Sequence, residues 1–130
     1  MTGHLREDSP LGKKWCSFLV AALPHARANG SHPYAAWPVS AISANKLRGP
    51  LIYAAIARGE CLYVGQTSDL LRTRIKRHLR DSKKAAAQWT NVLALELDEG
   101  VSASVIAELE RRGRTIMDPI TGTRWGRKKI

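Results

Sequence analysis

With 130 residues, 44% of them hydrophobic and 25% charged, the chain has room for one compact domain with its own core. Lys and Arg number 21 against 11 acids, and the net charge of +10 points to a polyanionic partner, nucleic acid being the commonest. The apolar run Trp15–Leu23 is far too short to span a membrane, and neither the cysteines nor the histidines have zinc-finger spacing, so a membrane partner and a structural zinc site are not expected.

A polar tail leads to a helix start, with Asp8 or Ser9 as the cap and Pro10 at the first helical position. Leu11, Trp15, Phe18, Leu19 and Ala22 follow at helical spacing as a stripe to bury, and Pro24 ends the helix. Lys13 and Lys14 ahead of this run loosely imitate a signal peptide, but Glu7 and Asp8 upstream and Pro24 after it favour a cytoplasmic location. Cys16 and Cys61 lie in apolar stretches and are expected to be reduced, buried thiols. Residues 25–50, punctuated by Gly30, Pro33, Pro38 and Gly49, read as an ordered loop with a short helix near Val39–Leu47. Tyr34 and Trp37 in that loop are expected to pack against the main domain rather than stack on bases.

From Leu51 the pattern is that of a β-hairpin: strand Leu51–Ala57, turn Arg58-Gly59-Glu60, strand Cys61–Gly65. Strand side chains alternate between faces. Ile52, Ala54 and Ile56 therefore share one face and leave Tyr53 on the other, and Leu62 and Val64 share a face and leave Tyr63 opposite. Both tyrosines then project from the same side of the hairpin. Thr67 or Ser68 is expected to cap a helix that runs to about Arg80, with Leu71, Ile75 and Leu79 as its buried stripe. Advancing about 100° per residue puts Arg74 and His78 on one edge of the stripe and Arg72 and Lys76 on the other. Residues 82–88 form a connection, and Asn91–Leu97 reads as a third strand. Ser102 or Ser104 starts a last helix that buries Val105, Ile106, Leu109 and Ile116. Residues 123–130 are a basic tail.

The motif "LIY", then "YVG" with its tyrosine ten residues on, the stretch "YVGQTSDLLRTRIKRH" and the stretch "LERRGRTIMDP" stand in this order on those elements. In that order they resemble the GIY-YIG nuclease family over about residues 49–122. The resemblance implies an α+β domain across residues 51–122, a small three-stranded sheet flanked by helices. Residues 1–50, for which it gives no guide, are expected as a helical extension packed on that core, because their apolar stripe must be buried. It implies a metal-dependent endonuclease acting on phosphodiesters, DNA rather than RNA, that leaves 5′-phosphate and 3′-hydroxyl ends. Tyr53 and Tyr63 match the two motif tyrosines, Arg74 the helix arginine, and His78 the residue four on. Glu110 matches the glutamate that binds Mg²⁺ or Mn²⁺, with Pro119 nine residues after it. Leu51 stands in place of the first-motif glycine, and one residue more than the commonest spacing separates "YVG" from Arg74. Gly113 stands mid-helix where a leucine is usual, opening space beside Glu110, and the family's C-terminal asparagine would fall at Gly122.

The residue types suit the chemistry. Phosphodiester cleavage needs an activated water, an electrophile on the non-bridging oxygens and a carrier for leaving-group charge. A guanidinium fits phosphate bidentately, a carboxylate suits a hard Mg²⁺ ion, and a tyrosine whose pKa is lowered by nearby cations can take a proton. Gly65, Gln66, Thr67, Arg72, Lys76, Arg77, Lys83 and Lys84 are the expected nucleic-acid contacts, because seven cations from Arg72 to Lys84 face the single Asp81. A glutamate among arginines is also a common surface ion pair, and both Glu108–Arg112 and Glu110–Arg114 have that spacing. A monomer is expected, with a homodimer as the alternative. A catalytically weak nucleic-acid-binding module and a basic structural protein are the rival functions.

Overall fold

Ser9 and Pro10 start the first helix as their chemistry dictates. The Ser9 hydroxyl accepts from the Gly12 amide at 2.9 Å, and Pro10 opens α1 (Pro10–Ala22), where its missing N–H costs nothing. The computed structural model describes residues 3–81 and 86–119. Within α1, Leu11, Trp15, Phe18 and Ala22 point inward, and the Trp15 indole N–H donates to the Pro33 carbonyl at 2.9 Å. Cys61 is buried as expected, but Cys16 is exposed, because it follows Trp15 by one helical step and so lies on the outer side of α1.

The chain is α+β, with one antiparallel sheet of five strands rather than three. The strands β1 (Gly3–His4), β2 (Ala35–Pro38), β3 (Leu51–Ala57), β4 (Glu60–Thr67) and β5 (Asn91–Glu96) stand in the order β1-β2-β5-β3-β4. Three of them, β5, β3 and β4, are those expected from the sequence, and β4 is an edge strand. The added pair lies in the presumed tail and loop. β2 is too short to show alternation and ends at Pro38, and pairing of Trp37 with Val92 on β5 makes it a strand. A 3-10 segment, Val39–Ala44, follows it within the stretch expected to be helical.

Strand β3 is buried along its whole length because both sheet faces are covered. On one face Ile52, Ala54, Ile56 and Val64 pack with Trp15 and Phe18 of α1 and with Leu109 and Met117 of α3 (Ala103–Met117). The first fifty residues thus share a core with the hairpin. On the other face Leu51, Tyr53 and Ala55 meet Leu71 and Ile75 of α2 (Leu71–Asp81), together with Ile42 and Trp89. Each large side chain buried in this way stabilises the fold by about 1.5–3 kcal/mol.

The hairpin turns on Arg58 and Gly59, both with positive φ (55° and 74°), the backbone twist that a tight antiparallel turn prefers. Glu60 already belongs to β4. The register breaks between Ala55 and Ile56: Ala55 faces Tyr63, Ile56 faces Cys61, and Leu62 is the extra residue of a β-bulge. Leu62 therefore joins the Tyr53 face, and does not share a face with Val64 as strict alternation required.

Helix α2 starts later than expected. Thr67 ends β4 and Ser68 follows in a bend; the Thr67 hydroxyl accepts from the Asp69 amide at 3.0 Å, a local turn that precedes the helix. The first helical N–H, that of Leu71, is satisfied instead by the Leu47 carbonyl at 2.9 Å. Ser102 does cap α3, accepting from the Val105 amide at 3.3 Å. Gly113 of α3 is buried. A Cβ there would lie 3.1 Å from a Val64 methyl carbon and 3.4 Å from Phe18, so its bare backbone brings α3 close to the sheet and α1 rather than clearing space beside Glu110. Among the described residues no helix is long and apolar enough to cross a membrane.

Candidate active site

The site lies on the sheet face that α2 covers. In the paired register Tyr53 stands opposite Gly65, and Tyr63 opposite Ala55. Both tyrosines leave the same face, as alternation predicts, and their ring centroids are 6.0 Å apart. Gly65 lies beneath them. A Cβ there would come within 2.6 Å of the Tyr53 hydroxyl and 2.8 Å of the Tyr63 ring. The "YVG" glycine is therefore required by close packing of the two rings.

Helix α2 supplies the other half. Arg74 and His78, one turn apart, both reach the Tyr53 hydroxyl: Arg74 Nε donates to it at 3.4 Å, and His78 Nε2 lies 2.8 Å from it. The His78 ring also sits 5.0 Å from Tyr63, edge to face. Arg72, on the opposite edge, turns away and donates to the Asn45 carbonyl at 3.2 Å, so it braces the loop before β3.

Burial and charge set the protonation states. Tyr53 is fully buried. Burial, aided by Tyr63 and by the charge of Glu110, drives its hydroxyl well above the ordinary phenol range, against the opposing pull of Arg74. This reverses the expectation that nearby cations would lower it: loss of water outweighs one guanidinium. His78 is pushed down to about 4, first by burial and then by Arg74 and Arg77, with Asp81 pulling the other way. At neutral pH it is therefore a neutral ring whose Nε2 can accept a hydrogen bond from the Tyr53 hydroxyl. Arg74 is held more firmly protonated than usual by its hydrogen bond to Tyr53.

Glu110, on α3, has 19% of its side chain exposed and accepts from Arg114 at 3.0 Å, while its charge is felt at Tyr53. Glu108 is taken up by Arg111 and, at 3.5 Å, by Arg112. Among the described residues no three His, Cys, Asp or Glu side chains converge. A lone, partly buried carboxylate fits Mg²⁺, which takes one or two such ligands and otherwise keeps water or substrate phosphate.

The expected nucleic-acid contacts divide. Lys76 and Arg77 are exposed on α2. Thr67 is buried. Gln66 is exposed, but it pairs with Ile52 and so points to the sheet face away from the tyrosines. Lys83, Lys84, Gly122 and the tail 123–130 lie outside the described residues. One neighbour escaped the sequence pattern altogether. The Trp89 ring stacks on Tyr63 at 5.6 Å and meets His78 at 5.0 Å. It falls between the expected connection and the expected third strand, where neither periodicity applies.

No protein-family model, no curated protein and no solved structure matches the chain.

Proposed function

We propose that this protein is a metal-dependent endonuclease that hydrolyses nucleic-acid phosphodiester bonds, DNA in preference to RNA, leaving 5′-phosphate and 3′-hydroxyl ends. The observation that carries the reading is the Tyr53 hydroxyl held between Arg74 and His78, with Tyr63 against the same imidazole. Two tyrosines, a fixed cation and a neutral histidine converge on one spot, on the elements where the GIY-YIG resemblance expects them.

Arg74 binds the scissile phosphate. A guanidinium has five N–H donors, more than Tyr53 and Tyr63 engage, and the charge of Arg74 is secure. Tyr53 is too deeply buried to meet an attacking water, and its role is to orient Arg74 and His78. Tyr63 is partly exposed, and its hydroxyl is the one assigned to the attacking water. Glu110 holds the metal, which when bound supplies charge stabilisation to the phosphate oxygens and the leaving group. Lys76 and Arg77 contact flanking phosphates regardless of sequence.

The test is incubation of purified protein with single- and double-stranded DNA and RNA in Mg²⁺, Mn²⁺ or EDTA. DNA cleavage that needs the metal and yields 5′-phosphate ends supports the reading. Cleavage that persists in EDTA overturns the metal role. Tight binding without cleavage under every condition favours a binding module that retains the site, a second reading to which the full burial of Tyr53 lends support.

A further inference from the structure

Four aromatic rings close on one another in the site, and Trp89 is the member with no part in the proposed chemistry. We propose that Trp89 is a positioning residue for the nuclease reaction: its indole fixes the rings of Tyr63 and His78, and through His78 it holds the Tyr53–Arg74 pair in register. This inference rests on the nuclease reading.

The geometry is that of a wedge. The rings of Trp89, Tyr63 and His78 form a triangle with centroid separations of 5.6, 5.0 and 5.0 Å. The indole lies nearly parallel to Tyr63, at 25°, and tilts 58° to His78. Tyr53 joins the group at 6.0 Å from Tyr63 and 6.1 Å from His78. Trp89 is 4% exposed, so its ring is a wall of the site rather than a platform on which a base could stack.

Its mount is independent of the helix that carries His78. The Trp89 amide donates to the Ala86 carbonyl at 3.0 Å. The amide and hydroxyl of Thr90 both donate to the Ile56 carbonyl of β3, at 3.0 and 3.1 Å, and the Thr90 carbonyl accepts from Val39 at 2.8 Å. The backbone that presents the indole is thus tied to β3 and to the 3-10 segment after β2. Helix α2 fixes only where the His78 side chain begins; its two side-chain torsions remain free until neighbours close the alternatives. An indole anchored from the sheet supplies that constraint, and the same ring sets the tilt of Tyr63. The other groups facing His78 are Tyr53 from β3, Tyr63 from β4, and Arg74, Arg77 and Asp81 on α2 itself.

A tryptophan that merely fills the core would affect melting temperature and leave turnover of the folded protein alone. The experiment uses the full chain as wild type, Trp89→Phe and Trp89→Leu. It measures DNA affinity without metal, the single-turnover cleavage rate with Mg²⁺, and the NMR shift of the His78 Cε1 proton. Trp89→Leu is expected to hold DNA within about twofold of wild type while cleaving about tenfold or more slowly, because small displacements of reacting groups are costly. Its His78 resonance should lose the ring-current displacement produced by the indole. Trp89→Phe keeps a ring and should recover most of the rate and part of the displacement. Rate and displacement must fall and recover together. A wild-type rate in Trp89→Leu, a rate loss matched by lost affinity, or a rate that changes while the His78 resonance stays put overturns the inference. If Trp89→Leu does not fold, Trp89→Phe decides by the same pairing of rate and shift. Wild-type protein that cleaves nothing defeats the nuclease reading separately. In that case the role of Trp89 in the reaction falls with it, while an unmoved His78 resonance in the variants refutes the contact between the two rings itself.

Discussion

The Tyr53 hydroxyl sits 2.8 Å from His78 Nε2, joining the middle of a buried strand to the exposed end of a basic helix. Neither residue alone looks unusual. Together with Arg74 they form a polar triad beside an aromatic cluster, and a neutral His78 can accept the hydrogen bond of the Tyr53 hydroxyl.

Stability should therefore depend on pH through His78. Burial, then Arg74 and Arg77, lower its folded-state pKa from the ordinary 6.5 to about 4. The unfolded chain then binds the extra proton between those values, so stability falls as pH drops through this window and the loss is complete below about 4. Melting temperature should decline from neutral pH toward pH about 4, and His78→Gln should flatten that decline. Parallel pH curves for the two proteins would show that His78 is not the group responsible.

The two tyrosines should separate. Tyr53→Phe removes the hydroxyl shared by Arg74 and His78 and should cost about 1–3 kcal/mol of stability as well as turnover. Tyr63→Phe removes the hydroxyl of a partly exposed residue and should lower turnover with a smaller change in melting temperature than Tyr53→Phe. Chemical denaturation alongside single-turnover assays distinguishes the pair. The reverse pattern would exchange their roles.

Glu110→Gln should reduce cleavage by about a hundredfold or more, because a metal ligand acts mainly in the transition state, and should abolish Mg²⁺ binding seen by calorimetry. Glu108→Gln, which disrupts only surface ion pairs with Arg111 and Arg112, should retain most activity. Equal losses in the two variants would remove the metal assignment.

Lys76 and Arg77 project into solvent from α2. Neutralising either should reduce the salt slope of DNA binding by about one unit, equally for unrelated sequences. Filter binding across a salt series measures this, and an unchanged slope would place the docking surface elsewhere.

Gly113→Leu should destabilise the fold by about 1–3 kcal/mol, since even a Cβ would stand 3.1 Å from Val64 and 3.4 Å from Phe18. A melting temperature equal to wild type would mean that α3 can slide away from the sheet without penalty.

Much of this arrangement was legible in the sequence. Period-two alternation put Tyr53 and Tyr63 on one face, and helical periodicity put Arg74 beside His78, because both depend only on the chain's own backbone geometry. Ser9, Pro10 and Ser102 announced their helix starts for the same reason. Leu62, Trp89 and the start of α2 were not legible. The bulge at Leu62 depends on pairing with Ala55 and Ile56, and Leu71 begins its helix against a carbonyl 24 residues earlier, that of Leu47.

The sequence by itself determined which side chains could meet. The direction in which each leaves its element follows from local repeat geometry, and that was enough to pair Tyr53 with Tyr63 on one face and Arg74 with His78 on one edge; only the family resemblance set the two pairs together. Only the tertiary structure decided the environment they share. Strand β2 closes the sheet beyond β5, Trp89 folds over His78 and Tyr63, and Tyr53 loses all contact with water. Desolvation is a property of everything packed around a group, contributed by residues distant in the chain. For that reason the upward displacement of Tyr53 and the neutrality of His78 could not be read from the residues that carry them.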